Sequence, residues 1–340
     1  MRKLICKSLF GWKTYMLSLL ALAACANNDP LDPLDPLDPL DHFPIAPNNI
    51  SPDNEESGGG YGNSFVFTNN IRRTGETLMN SATLGAGYKT GQGIAVYNRV
   101  LYRLYDTGIC HTYDITDIDN PVFLNKFALG SYIQDNHCNA AQIYIDEGTP
   151  LLYVAGLKGK CYVEEITDDT TVLRQVINLS KLRFFNNNVH FNMICSDDGF
   201  LWLFGSANGT LYFAKIRRPQ IEEYDVTLFE EDILDYWTVP NYVYSESVWQ
   251  GGKVYSNILY FVFGTTTSNR RIAVYDTNTH ELIEDVNLND AIPYELEDCE
   301  IIGDTMIIAI YGGEGYYLIE PTVTSGIKPV TIKNKALTFQ

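Results

Sequence analysis

The sequence predicts an all-β protein made of five consecutive units of four antiparallel strands, a radial rather than a layered design. Three observations carry this expectation. First, apolar bursts recur at Leu101–Tyr105, Leu151–Gly156, Leu201–Gly205, Leu259–Gly264 and Met306–Ile310. With Tyr102, Tyr153, Trp202, Tyr260 and Ile307 taken as equivalent, successive bursts lie 51, 49, 58 and 47 residues apart. Second, every burst has the same neighbours in the same order. Third, the chain holds 23 Tyr and 16 Phe, and aromatic and β-branched residues suit the pleated, half-buried surface of a strand.

Within each unit the elements read from first to last. A shorter strand comes first, at Ile94–Tyr97, Gln142–Ile145, Asn192–Cys195, Ser247–Gln250 and Glu300–Ile302. A tight polar turn follows, such as Asp146-Glu147-Gly148 or Ser196-Asp197-Asp198-Gly199, and leads into the burst. The third strands are His111–Ile115, Tyr162–Ile166, Leu211–Lys215, Ile272–Asp276 and Tyr316–Glu320, and outer strands show at Val122–Leu124 and Val172–Val176. Four strands in every repeat of roughly 50 residues is the signature of a β-propeller. A sandwich or a large barrel explains the strands but not a repeat of that length in a constant order. Five blades fit between Gly91 and Pro321. Thr77-Leu78-Met79 or Val330-Thr331-Ile332 would complete the fifth blade, and a sixth results if these flanks build a blade of their own.

The third-strand endings add a resemblance. Tyr113-Asp114-Ile115-Thr116-Asp117 followed by Asn120-Pro121 resembles the bacterial LVIVD repeat, and Val274-Tyr275-Asp276-Thr277-Asn278-Thr279 resembles the related YVTN type. These motifs imply architecture and no chemistry, since the aspartate usually caps the next turn.

The N-terminus reads as an export signal over residues 1–24. Arg2, Lys3, Lys7 and Lys13 precede an apolar run from Tyr15 to Ala24. Ten residues are too few to span a bilayer, which needs about 20. Leu22-Ala23-Ala24-Cys25 resembles the lipobox of bacterial lipoproteins, which implies lipidation of Cys25 and anchoring to a membrane through its acyl chains. Ala26 in place of an aspartate implies, by the same resemblance, the outer membrane, its face left open. Residues 25–64 follow as a linker. Asp-Pro-Leu occurs four times from Asp29 to Leu40, which favours extended polyproline geometry, and the stretch from Asn48 to Ser64 is too polar to build a core. Residues 65–340 are then the propeller.

Net charge is −18. Loss of residues 1–24 removes four positive charges and no negative one, giving −22, which argues against nucleic acid or anionic lipid as a partner. Beyond Cys6 and Cys25, five cysteines remain (Cys110, Cys138, Cys161, Cys195 and Cys299). An odd count without close spacing suggests neither a disulfide framework nor a zinc site, and Cys110 and Cys161 sit at equivalent positions of successive blades.

Loops entering the innermost strands ring one mouth of a propeller's channel. Here they carry Lys89, Asp135 with His137, His190, Glu246, and Glu297 with Asp298, each beside an aromatic residue. The candidate ligand-binding set is Lys89, His137, His190, Glu246 and Asp298, suited to a sugar or another small polar molecule. No cofactor, metal or nucleophile motif is expected. Two functions follow: an envelope-anchored propeller that binds a carbohydrate or an envelope protein, or a hydrolase or lyase acting on glycans through mouth carboxylates. Ser196-Asp197-Asp198-Gly199 echoes the sialidase Asp-box only in part, and five-bladed glycosidases place acids on blades where this chain has Lys89 and His190. Replacing Cys25 by serine should move the protein from the membrane to the soluble fraction without loss of fold; continued sedimentation with membranes would remove the lipoprotein reading.

Overall fold

The computed structural model describes residues 65–75, 91–132, 136–156, 159–184, 187–188, 190–197, 199–207, 210–240, 248–255, 257–311 and 315–320, all within a compact unit spanning 54–340. The strands are β1 (Ile71–Thr74), β2 (Gly91–Tyr97), β3 (Val100–Tyr105), β4 (Ile109–Asp114), β5 (Val122–Ala128), β6 (Ala141–Asp146), β7 (Thr149–Ala155), β8 (Lys160–Ile166), β9 (Thr171–Asn178), β10 (Arg183–Phe184), β11 (Asn187–Asn188) and β12 (His190–Asp197). They continue as β13 (Phe200–Ala207), β14 (Thr210–Arg217), β15 (Asp225–Thr227), β16 (Ile233–Pro240), β17 (Trp249–Tyr255), β18 (Ile258–Phe263), β19 (Arg271–Asp276), β20 (Leu282–Asn287), β21 (Glu295–Ile302), β22 (Thr305–Tyr311) and β23 (Tyr316–Ile319). No helix among the described residues is long and apolar enough to cross a membrane.

From the axis outward, blade 1 is β2-β3-β4-β5, blade 2 is β6-β7-β8-β9 and blade 3 is β12-β13-β14-β16. Blade 4 is β17-β18-β19-β20, and blade 5 is β21-β22-β23-β1. The innermost strands close a ring, with β2 against β6 and β21, β12 against β6 and β17, and β17 against β21. Because β2 meets β21 directly, the propeller has five blades and no room for a sixth. Its fifth blade takes its outer strand from the N-terminal side, at Ile71–Thr74. The two segments expected for that strand, Thr77–Met79 and Val330–Ile332, lie outside the described residues, as do Cys25 and the whole of residues 1–64.

Each blade interface holds its own apolar core. Leu101 and Ile94 pack with Ile307 and Leu318 between blades 1 and 5, whereas neighbouring Tyr102 packs with Leu152 and Tyr162 between blades 1 and 2. Leu151 and Leu203 meet between blades 2 and 3, Trp202 and Leu259 between blades 3 and 4, and Tyr260 and Met306 between blades 4 and 5. Successive side chains of a strand point to opposite faces, and here both faces are covered. The second strands therefore read as unbroken apolar runs instead of alternating ones. Cys110, Cys138, Cys161 and Cys299 are buried and unbridged.

Turns behave as their residues require. Asn98 and Arg99 have φ of 50° and 62°, and Glu147 and Gly148 of 46° and 88°, the paired positive values of tight hairpin turns. Asp114 Oδ1 accepts the Thr116 amide at 2.7 Å, and Asp276 Oδ1 accepts the Asn278 amide at 2.8 Å, so both motif aspartates cap turns. The one long repeat step, 58 residues, has a local cause. Between β14 and β16 the chain leaves blade 3, and β15 pairs in parallel with β9 as a fifth strand on blade 2. The buried Gln175 side chain fastens this excursion by donating to the carbonyls of Gln220 (2.6 Å) and Glu223 (2.8 Å).

The axis is polar. Lys253 of blade 4 is fully buried, and its Nζ donates to the Ile94 carbonyl of blade 1 at 2.8 Å. It also lies 3.6 Å from Asp298 and 3.8 Å from Glu300, both of blade 5. Asp298 in turn accepts the amides of Ile94 in blade 1 and Ala141 in blade 2, each at 3.1 Å. Two of these bonds, Lys253 to Ile94 and Asp298 to Ala141, join blades that are not neighbours in the ring, so the network crosses the channel and plugs it. Removing one partner of a buried ion pair leaves the other uncompensated, at about 3–5 kcal/mol. Lys253→Met should therefore lower stability by about that amount, read as a lower denaturant midpoint; a midpoint unchanged from wild type would show that the plug does not hold the blades together.

Candidate functional site

Inner-strand register defines a ring of equivalent positions just on the mouth side of the plug. Ile94 pairs with Arg103, Ala141 with Val154, Ile194 with Leu203, Gly252 with Phe261 and Cys299 with Ile308. Two residues earlier on each strand stand Gln92, Asn139, Asn192, Gln250 and Glu297: four amides and one acid. In four of the five blades the ladder breaks at this point, between Gly91 and Ile94, Phe191 and Met193, Trp249 and Gly252, and Leu296 and Cys299. Such bulges re-aim side chains next to functional surfaces.

Two glycines let the strands come this close. A Cβ on Gly93 would lie 2.7 Å from the Cys138 carbonyl oxygen, and one on Gly251 would lie 2.5 Å from that of Glu297 and 2.6 Å from Asp298 Oδ1. The ring side chains consequently meet across the axis. Asn139 Nδ2 donates to Gln250 Oε1 at 3.2 Å, from blade 2 to blade 4. Gln250 Nε2 donates to Glu295 Oε1 at 2.8 Å.

Glu297 differs from its ring partners. It is 2% exposed, and among the described residues no hydrogen-bond donor reaches its carboxylate. Burial, then the negative charges of Glu295, Asp106 and Asp298, push its carboxyl well above the usual glutamate range, while Arg103 acts the other way. Burial also raises Glu295, against the Gln250 hydrogen bond and the charge of His137. Gln92, 4% exposed, leaves its Oε1 without a hydrogen-bond partner. Glu295, Glu297 and Asp106 thus make an acidic mouth floored by amides.

The loop from Leu129 to Ala140 brings His137 to this mouth. Glu164 anchors it by accepting the amides of Gly130 (2.9 Å) and Ser131 (2.8 Å), and Asn136 braces it by donating to Ser131 Oγ at 2.7 Å. His137 Nδ1 then pairs with Asp106, which belongs to the short turn Asp106–Gly108 between β3 and β4. Of the other sequence-derived candidates, Asp298 does not line the mouth. It is fully buried in the plug, where burial pushes its carboxyl up to about 6 while Lys253 pulls it down. Its neighbour Glu297 occupies the mouth position instead. Lys89, Asp135 and Glu246 lie outside the described residues; His190 begins β12, and its side chain is likewise outside them. Among the described residues no group of three or more His, Cys, Asp or Glu is placed to hold a metal ion.

Gln92, Asn139 and Gln250 were not singled out in the sequence. Counting back ten residues from the equivalent position of each burst (Tyr102, Trp202, Tyr260 and Ile307) finds Gln92, Asn192, Gln250 and Glu297; the offset fails only at Asn139, which lies fourteen residues before Tyr153.

No family model and no curated protein matches the chain. Among solved structures it is similar to the exo-β-1,3-galactanase of Phanerochaete chrysosporium, solved with galactose, at 10% identity and a TM-score of 0.47, over 73% of this chain and 64% of that one. It is similar to the tail fibre of Staphylococcus aureus phage P68 at 15% identity and a TM-score of 0.43, over 69% and 50%. With Myxococcus xanthus glutaminyl cyclase the identity is 13% and the TM-score 0.35, over 57% and 72%. The chain spans less than two thirds of the galactanase's length, and likenesses at this level carry no argument about site or activity.

Proposed function

We propose that this protein is a lipid-anchored component of the cell envelope whose propeller binds a small polar ligand at the acidic mouth of its plugged channel. The N-terminal signal pattern, Cys25 and the Asp-Pro-Leu linker support the anchoring. The single observation that supports the binding site is Glu297, a carboxylate 2% exposed with no donor among the described residues. A buried charge without a partner is unfavourable for folding, and unsatisfied groups of this kind call for an explanation such as a ligand. A sugar or related envelope compound meets the need, because its hydroxyl groups offer donors to Glu297 and Glu295 while the amides of Asn139 and Gln250 fix its orientation.

The catalytic alternative finds less support. Acid–base pairs in glycan hydrolysis work because their environments drive the two pKa values apart. Glu295 and Glu297 are both pushed upward, and they sit two residues apart on one strand.

Glu297→Gln tests the binding site and has a defined stability effect. A carboxyl whose folded pKa is raised holds its proton more tightly when folded, so it favours the fold below the ordinary glutamate value and disfavours it as pH rises through the folded value. The glutamine variant should therefore melt at or above the wild-type temperature at neutral pH, with a gain that grows as pH rises from 5 to 8. In a screen of envelope glycan fragments the same variant should lose affinity for any ligand the wild type binds. Unchanged affinity would place the site elsewhere.

A further inference from the structure

The channel shows, one layer below the mouth, how it accommodates an ammonium group. Lys253 Nζ sits among three acceptors: the Ile94 carbonyl at 2.8 Å, Asp298 at 3.6 Å and Glu300 at 3.8 Å. The mouth layer repeats the acidic half of that arrangement on the same strand, with Glu295 and Glu297 in place of Asp298 and Glu300. Its blade 4 counterpart, however, is the neutral Gln250, whose Nε2 satisfies only one oxygen of Glu295. The nearby His137 is paired with Asp106. The buried Gln92 Oε1, at the blade 1 position of the same ring, is a further acceptor without a donor.

Resting on the channel-mouth reading above, we infer that the ligand enters with a primary ammonium group, which takes the place at Glu297, Glu295 and Gln92 that Lys253 takes in the plug. The match is one of geometry and of count. An ammonium is a compact point charge with three donors, and the mouth offers acceptors from two strands, while the nearby cations among the described residues are engaged with other groups: Arg103 donates to the carbonyls of Gly315 and Ile310, and His137 pairs with Asp106. A planar guanidinium wants a bidentate carboxylate in its own plane. A neutral sugar offers hydroxyl donors but no positive charge to set against the acidic pair. Because the upward-shifted carboxyls must lose a proton before they can hold a cation, affinity for an ammonium should rise with pH from 5 to 8.

The soluble Cys25→Ser protein, titrated calorimetrically, tests this with a matched pair of probes. Glucosamine and N-acetylglucosamine share a ring and differ in charge at one nitrogen; putrescine supplies the ammonium without a sugar. Glucosamine and putrescine should bind at pH 6, where both are ammonium ions, each at least tenfold tighter than N-acetylglucosamine, and putrescine, which stays charged throughout, should bind tighter at pH 8 than at pH 6. Glu297→Gln and Gln92→Met should each weaken both ammonium probes about tenfold, whereas Glu147→Gln, in a turn on the opposite face, should change neither; attraction by net negative charge alone would respond equally to Glu147→Gln. If N-acetylglucosamine binds as well as glucosamine and Glu297→Gln weakens both, the ammonium inference fails while the channel-mouth site stands. If the ammonium probes bind but ignore Glu297→Gln, both fail. Absence of binding by both ammonium probes overturns the inference, as does binding seen only in a Lys89→Met variant, which would mean that the chain's own lysine fills the place.

Discussion

Five wedges arranged around an axis must agree on one centre, and here a buried lysine enforces that agreement. Lys253 bridges the backbone of blade 1 and the acids of blade 5 from its seat in blade 4, and Asp298 extends the same network to blade 2. Apolar cores bind each blade only to its two neighbours; the axial network binds blades that never touch through their faces. A hydrophobic centre could pack as well, but it would not specify which strand sits at which depth. Charge and hydrogen-bond direction do so, because every partner of Lys253 and Asp298 is a single atom at a single register.

That network also explains the character of the mouth. Above the axis closed by one lysine and two acids, the ring positions of the next layer carry amides and one acid, Gln92, Asn139, Asn192, Gln250 and Glu297. The same strand, β21, carries Asp298 and Glu300 in the plug and Glu295 and Glu297 above it. A bulge between Leu296 and Cys299 separates the two sets and turns adjacent residues to different tasks. The proposed binding site would thus divide stability from recognition along a single strand, with the paired acids below and Glu297 above.

What the sequence made legible, and what it hid, follows from the same geometry. The second strands, from Leu101–Tyr105 to Met306–Ile310, stood out because both of their faces are buried between blades. The inner strands run beyond the segments their composition marks, over Gly91–Tyr97 where the pattern shows Ile94–Tyr97 and over Glu295–Ile302 where it shows Glu300–Ile302. In blade 4 the reading stopped at Gln250, yet the strand runs from Trp249 to Tyr255. Their mouth-side halves are glycine and polar residues, which resemble loop by composition, and their bulges break the alternation that marks a strand. The proposed site draws on those halves. Selecting Asp298 over Glu297 was a slip of one residue, enough to exchange mouth for plug.

Ring closure ties residues from opposite ends of the domain. Arg72 in β1 and Thr68 just before it grip Glu320 after β23 across about 250 residues of chain. The first strand to be synthesised is thus the last to find its partner. At about 5–20 residues per second, translation alone separates them by roughly 12–50 s. Throughout that interval β1 has no ladder to join and blade 5 does not exist, so the ring stays open whatever the first four blades have achieved. Contacts this distant in sequence slow folding. In the proposed export such a delay would be an advantage, since a ring that cannot shut early remains threadable until the whole domain has been delivered.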